Sequence, residues 1–170
     1  KQPFALFMLT LDTHPPEGHP TAACKDVRYE ANPLPMLNAI KCADTLVTRF
    51  VREIENSDLA ENLVIVIASD HLQMRGDATD ILDARKNSRE NLFLARGRSI
   101  SPEVIERTAT TLDIAPTVLK LLGFDVHSFA LGRSLVDRSE KTLSEKYGRG
   151  DFYSQVTSWR MNYLRNLADE

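Results

Sequence analysis

Leu63-Val64-Ile65-Val66-Ile67-Ala68-Ser69-Asp70-His71 is the stretch on which the reading of this chain turns. Six apolar residues, with β-branched side chains at 64–67, are followed by three polar ones. This pattern predicts a strand covered on both faces that breaks abruptly into a polar turn. Strands of that kind belong to sheets flanked by helices, and in open α/β sheets ligands gather beyond the carboxyl ends of the strands. A carboxylate beside an imidazole at such an end suits a divalent cation, because the hard oxygen supplies charge and the neutral ring supplies a nitrogen donor. The competing reading makes Asp70 a turn cap and leaves His71 merely exposed.

Upstream of this stretch, Phe4 to Leu11 is also apolar on both faces and ends at Asp12, which predicts a second buried strand. The loop from Asp12 to Asn32 follows, rich in Pro, Gly and His, and loops of that length are usually functional or stapled down. If the two strands lie side by side, His14 and His19 project over the same sheet edge as Asp70 and His71. A histidine there can ligate a metal, donate to a phosphate oxygen or protonate a leaving group; the alternative is a pair of Pro-flanked rings that only stiffen the loop. Pro35 opens a helix in which Leu37, Ile40, Val47, Phe50, Val51 and Ile54 recur at helical spacing, closed by Asn56-Ser57.

Downstream, a helical turn is predicted near Ile81–Arg85 and a short strand over Asn91–Ala95. A helix is predicted from Ile114 to Leu122, capped by Thr111 or Asp113 and stopped by Gly123. From Asp151 to Asp169, Phe152, Val156, Tyr163, Leu164 and Leu167 share one face of an amphipathic helix. Strand and helix alternate and the strands are uniformly apolar, which predicts an α/β layered fold with a largely parallel sheet.

Composition agrees with a folded domain: 170 residues, 42% hydrophobic and 26% charged, fit about one domain of ordinary globular usage. With 21 Lys and Arg against 24 Asp and Glu, the net charge of −3 argues against nucleic-acid binding, which needs clustered cations. The longest apolar runs fall far short of the roughly 20 residues needed to span a bilayer, and no signal peptide opens the chain. Lys-Gln-Pro leads straight into the apolar run at Phe4, which suggests that the sheet neighbours of that strand lie in sequence outside this chain. An exposed apolar edge is then expected, or one covered by the tail helix or by a second copy in a homo-oligomer.

Cys24 and Cys42 are too few for a Cys₄ site and match no CxxC motif. They are either unrelated thiols or a disulfide fastening the loop to the helix. The latter would add roughly 3 kcal/mol in the chain-entropy model and imply an oxidising compartment. Asp44 reads as a residue of the solvated helix face, and Trp159 with Tyr163 as core more than as a sugar-stacking pair. Arg85, Lys86, Arg89, Arg96 and Arg98 form a mild basic cluster that fits a solvated face better than an anion site.

Ser69-Asp70-His71, then Thr111-Leu-Asp113-Ile-Ala-Pro116-Thr117-Val-Leu-Lys-Leu-Leu-Gly123 and Leu131-Gly132-Arg133-Ser134-Leu135, together resemble the sulfatase branch of the alkaline phosphatase superfamily. Within it, Leu9-Thr10-Leu11-Asp12-Thr13-His14-Pro15-Pro16-Glu17-Gly18-His19, the paired cysteines and Arg89-Glu-Asn91-Leu-Phe93 resemble the phosphoglycerol transferases. The resemblance covers residues 4 to 137 and implies that 1–137 are the carboxyl-terminal portion of a catalytic domain with a three-layer, mostly parallel sheet. Residues 138–170 are a tail it does not reach.

The resemblance further implies one divalent metal, Mn²⁺ or Mg²⁺ with Zn²⁺ compatible, held in part by Asp70 and His71. It implies a catalytic, substrate-contacting His14, His19 near the substrate, and a Cys24–Cys42 disulfide. The implied reaction moves a phosphoglycerol group from a phosphatidylglycerol-type lipid to a glucan acceptor at the periplasmic face of the inner membrane. The Thr nucleophile and an acidic ligand of that family have no counterpart here, so this chain alone is expected to be inactive and soluble, with the membrane met through sequence outside it. A sulfatase or phosphodiesterase of the same superfamily, and a non-catalytic α/β binding module, are the alternatives.

Overall fold

The computed structural model describes residues 3–29, 34–85 and 88–168, with the side chains of 149, 163, 164 and 166–168 outside the description. The chain divides into two compact units, Lys1–Leu94 and Ala95–Glu170.

In the first unit, helix α1 (Pro35–Glu55) starts where Pro at the first helical position fixes φ and gives up no needed N–H. Leu34 supplies no side-chain cap. Instead Asp77 Oδ2 accepts from Met36 N at 3.1 Å, so the next loop caps the helix from 41 residues away. The helix face that buries is Met36, Ala39 and Cys42, not the larger stripe expected from the periodicity, of which Ile40 and Phe50 are 44% and 41% exposed. The loop at 12–24 decides this choice. Gly18 sits at φ +72, where an added Cβ would come within 2.6 Å of Ala39 Cβ, and Cys24 is joined by a disulfide to Cys42 with Cα atoms 5.6 Å apart. Asp44 is exposed.

Strand β1 (Ile65–Ala68) falls within the predicted apolar run, but its residues are half-buried or exposed rather than covered on both faces. It pairs with β2 (Phe93–Arg96) in a two-stranded sheet. Between them lies the short helix α2 (Thr79–Asp83). Phe4 to Leu11 does not form the expected buried strand: it carries no regular structure, and Phe4, Leu6, Phe7, Met8, Leu9 and Leu11 are 64–94% exposed. A strand exists only through its ladder partners, and the described residues offer this segment none. The described residues form the expected α/β class as a small partial arrangement with short two-stranded sheets, and the three-layer parallel sheet is not seen among them.

The second unit is organised around α3 (Ile114–Leu121), preceded by a 3-10 turn at Thr111–Asp113. Thr110, one residue before the predicted caps, closes a capping box with Asp113. Gly123 at φ +88 ends the helix: its N–H bonds to Lys120 O and that of Phe124 to Leu119 O, the paired bonds of a Schellman stop. Strands β3 (Ser128–Phe129) and β4 (Gly132–Arg133) form an antiparallel hairpin, followed by α4 (Leu143–Tyr147) and α5 (Arg149–Ala168).

The two motifs around α3 and β4 are halves of one hydrogen-bonded structure. Asp113, 2% exposed, accepts from Thr110 N and Thr110 Oγ1 through one oxygen and from Arg133 N through the other. Buried Thr117 donates to Asp113 O at 2.6 Å and accepts from Leu135 N at 2.8 Å. Gly132 lies where a Cβ would stand 1.9 Å from Leu112 O, so the Leu-Gly-Arg turn admits no larger residue. Arg107 supplies a second hub. It pairs with both oxygens of Glu145, at 3.0 and 2.7 Å, and donates to the carbonyls of Ser134, Leu135, Asp137 and Glu140. The hydrogen bond from Arg107 pulls the Glu145 carboxyl down to about 2, and the reciprocal bond raises the guanidinium above its ordinary value.

In the tail, Trp159 packs edge-on to Tyr147 with ring centroids 6.3 Å apart, a packing role in agreement with the reading of the sequence. The side chains of Tyr163, Leu164 and Leu167, expected on the same face, lie outside the described residues, as does Lys86 of the basic cluster. Among the described residues, no helix is long and apolar enough to cross a membrane.

Candidate functional site

Two turns of the first unit hold the candidate residues. The first is tightened by backbone bonds from His14 N to Leu11 O, Gly18 N to His14 O and His19 N to Asp12 O, around a cis Pro15–Pro16 bond. His14 and His19 both face solvent on it. The second begins at Ser69, whose N–H donates to Leu92 O and whose Oγ accepts from Leu92 N at 3.1 Å. These bonds anchor the end of β1, so Asp70 and His71 leave a fixed point.

The Asp70 carboxylate accepts from His71 N at 2.8 Å, and its other oxygen stands 3.4 Å from His71 Nε2. Both side chains are more than half exposed, at 69% and 53%. His71 Nδ1 lies 2.8 Å from Leu72 O. A carbonyl only accepts, so Nδ1 carries a proton and Nε2 is the nitrogen left to ligate, the tautomer that metal-ligating histidines use. His14 is set the same way, with Nδ1 2.8 Å from Pro15 O. His14 and His71 are thus each oriented by the carbonyl of the residue that follows.

The two turns are joined, but not as neighbouring strand ends. Pro16 O accepts from Asp77 N at 3.0 Å, and Gly76 approaches so closely that a Cβ would stand 2.1 Å from that same oxygen. The histidine turn therefore docks on the loop that follows His71. The expected common sheet edge is absent because Phe4–Leu11 forms no strand. Nor does His14 complete a metal group with Asp70 and His71: among the described residues no three His, Cys, Asp or Glu side chains are arranged to hold an ion. Asp70 and His71 fit a divalent cation in chemistry, orientation and access, as two donors of a set that needs more.

Asp77, which caps α1 and receives Pro16, has no local sequence signal. Its two partners come from residues 36 and 16, and only the missing side-chain cap at Leu34 hints that a distant acceptor is required. The Cys24–Cys42 bridge closes the far end of the histidine loop onto α1, so the loop is held by a disulfide, by Gly18 against Ala39 and by Pro16 against Gly76. Of the basic cluster, Arg89 donates through Nη2 to Gln73 O, which makes it part of the loop that follows His71 rather than a bare surface cation.

The sulfatase family matches residues 1–124. Phosphoglycerol transferase I of Xanthomonas campestris pv. campestris (strain ATCC 33913) is 47% identical over 138 residues, covering 79% of this chain and 19% of its own length. That of Xanthomonas euvesicatoria pv. vesicatoria (strain 85-10) is 45% identical over 140 residues, 81% of this chain and 20% of its own length. That of Salmonella arizonae is 37% identical over 149 residues, 86% of this chain and 19% of its own length. The chain thus spans about a fifth of the length of these curated relatives, and no solved structure matches it. With a family match through Gly123's helix stop and Ser69-Asp70-His71 inside it, the chain belongs to the sulfatase family.

Proposed function

We propose that this chain forms part of the catalytic domain of a phosphoglycerol transferase, in which a phosphoglycerol group passes from a phosphatidylglycerol-type lipid to a glucan or similar acceptor at the periplasmic face of the inner membrane. The observation that carries this reading is the identity of 37–47% to proteins named phosphoglycerol transferase I across about four-fifths of the chain. Asp70 and His71 are two ligands of one divalent cation, Mn²⁺ or Mg²⁺, with donors from elsewhere in the longer protein completing the set. When bound, such a cation neutralises phosphoryl oxygens and lowers the pKa of a hydroxyl nucleophile.

This chain's own contribution is positioning and proton control. Nδ1–H of His71 held by Leu72 O fixes the tautomer and turns the ring for ligation through Nε2, and the Asp70 carboxylate brings the charge that keeps the ion in place. His14, with its tautomer set by Pro15 O, accepts or donates a proton at Nε2 toward the phosphoglycerol group, and His19 on the same turn lies near the substrate. The nucleophile is a Thr outside this chain.

The test is transfer of radiolabelled phosphoglycerol from phosphatidylglycerol vesicles to a soluble gluco-oligosaccharide by the full-length protein with Mn²⁺. His71→Ala is expected to lower the rate by at least roughly 100-fold and His14→Ala by roughly 10- to 100-fold. Hydrolysis of an aryl sulfate with no phosphoglycerol transfer would replace this reading with a sulfatase.

A further inference from the structure

Three pieces of the first unit meet in a closed triangle: the histidine turn, the start of α1 and the loop after His71. The turn packs on α1 at Gly18, where an added Cβ would stand 2.6 Å from Ala39 Cβ and 3.4 Å from Met36 Sδ. The turn also docks on the loop, since Pro16 O accepts from Asp77 N at 3.0 Å and a Cβ on Gly76 would stand 2.1 Å from the same oxygen. The third side runs from the loop back to α1, where Asp77 Oδ2 accepts from Met36 N at 3.1 Å. Two such contacts leave a hinge, and the third locks the pieces together. Asp77 supplies two of the three sides, one through its backbone and one through its carboxylate. Its other oxygen, Oδ1, is buried and has no partner among the described residues, so the side chain is enclosed where it sits.

We propose that Asp77 is a positioning residue for His14, which holds the histidine turn in register with the Asp70–His71 pair. His14 lies just before Pro16, and Asp70 and His71 open the loop to which Asp77 belongs, so the triangle joins the two turns that carry the candidate chemistry. His14 engages Pro15 O through Nδ1, Leu11 O through its N–H and Gly18 N through its carbonyl, all within its own turn. The placement of its ring relative to Asp70 and His71 is therefore inherited from the docking of the turn as a whole. A local cap at Leu34 would serve α1 equally well; a cap borrowed from Asp77 serves α1 and the site together. The proposal deepens the phosphoglycerol-transfer reading and rests on it for the role of His14; the anchoring itself rests on the triangle.

The experiment is a double-mutant cycle in the full-length protein, with Asp77→Ala, Asp77→Asn and Gly76→Ala each made with His14 intact and with His14→Ala. Phosphoglycerol transfer, isothermal titration of Mn²⁺ and amide hydrogen exchange are measured for each. Asp77→Ala is expected to lower kcat/KM for the lipid donor by about tenfold or more when His14 is present and by less than about twofold when it is Ala, because a displaced His14 is the route of the loss. Gly76→Ala, which pushes Pro16 away but keeps the cap on Met36, is expected to show the same pattern and serves as the check should Asp77→Ala misfold. Asp77→Asn retains an acceptor for Met36 N and is expected to stay within about threefold of wild type. Mn²⁺ affinity is expected to change by less than about twofold, and exchange over residues 12–19 to rise at least about fivefold in Asp77→Ala with β1 unchanged. Equal losses with and without His14, a fall in Mn²⁺ affinity in step with activity, or an Asp77→Asn variant as damaged as Asp77→Ala each overturns the assignment. A wild-type protein that transfers no phosphoglycerol overturns the reaction reading, and exchange then decides the anchoring: faster exchange over 12–19 in Asp77→Ala and Gly76→Ala supports it, and unchanged exchange overturns it.

Discussion

Asp70 and Asp113 are both aspartates within the stretch that matches the sulfatase family, yet the molecule treats them in opposite ways. Asp113 is 2% exposed, and its two oxygens satisfy two backbone N–H groups and a hydroxyl. Asp70 is 69% exposed and, among the described residues, accepts from the N–H of its own neighbour, with the His71 ring beside it. In the second unit Asp113, Thr117 and Arg107 all close their hydrogen bonds on internal partners. The first unit leaves His14, His19, Asp70 and His71 turned outward and immobilises the backbone under them, through Pro16, Gly18, the disulfide and the Ser69–Leu92 bonds. A motif residue whose hydrogen bonds all close internally holds the fold, whereas one with an unspent lone pair on a fixed turn is available for chemistry.

The largest effect that could break this contrast is at Arg107. Arg107→Ala strands the Glu145 carboxylate, 22% exposed, and four carbonyls. It is expected to cost about 3–5 kcal/mol in urea denaturation. A cost under about 1 kcal/mol would show that the network is ornamental. Next in size is the disulfide of the first unit, which closes a loop of 18 residues. Its reduction is expected to cost roughly 3 kcal/mol and to raise hydrogen exchange in residues 12–24 while leaving the amides of α3 unchanged. Equal loosening of both regions would erase the distinction between a stapled site and a self-satisfied network.

Thr117→Val tests the second unit at a single atom. The replacement keeps the volume but removes the acceptor for Leu135 N, so a buried N–H loses its partner, at an expected cost of about 1–3 kcal/mol with faster exchange at the Leu135 amide. Acid offers a related probe. Glu145 titrates at about 2 in the folded protein against 4.5 ordinarily, because Arg107 holds it ionised. A depressed folded pKa means that its stabilisation is complete above about pH 4.5 and drains away as pH falls toward 2. At roughly 1.4 kcal/mol per unit, discounted for partial exposure, about 2 kcal/mol is expected to disappear across that window. Glu145→Gln is expected to flatten the loss, and an unchanged pH profile in that variant would remove Glu145 from the account.

The sequence announces some of this directly. Helix α1 begins at Pro35, α3 ends at Gly123, and Ser69-Asp70-His71 stands at the end of a strand, because each is encoded by local chemistry: a fixed φ, a positive φ and a break from apolar to polar. What depends on partners far along the chain is not legible. The buried face of α1 is Met36-Ala39-Cys42 because Gly18 and Cys24 meet it there, and no periodicity within the helix reports that. Phe4–Leu11 has the composition of a central strand and none of its pairing. Arg107 lies in an irregular segment without periodicity, so its role emerges only when residues 134–145 fold back over it. At the site, residue types were legible and their relation was not: the histidine turn meets the loop after His71 through Pro16 and Asp77, two residues with no chemical signature.

The smallest expected change in stability carries the most weight for the contrast. Asp70→Asn keeps the size of the side chain and an oxygen that can accept from His71 N, and the position is exposed, so stability is expected to move by less than about 0.5 kcal/mol. Transfer activity of the full-length protein is nevertheless expected to fall by at least roughly 100-fold, because a neutral amide cannot supply the charge that a divalent cation requires. The two readouts must separate. Should Asp70→Asn destabilise the protein as much as Thr117→Val does, Asp70 is a turn-forming residue like Asp113, and the outward-facing pair at the end of β1 loses its claim to be the chemical half of the molecule.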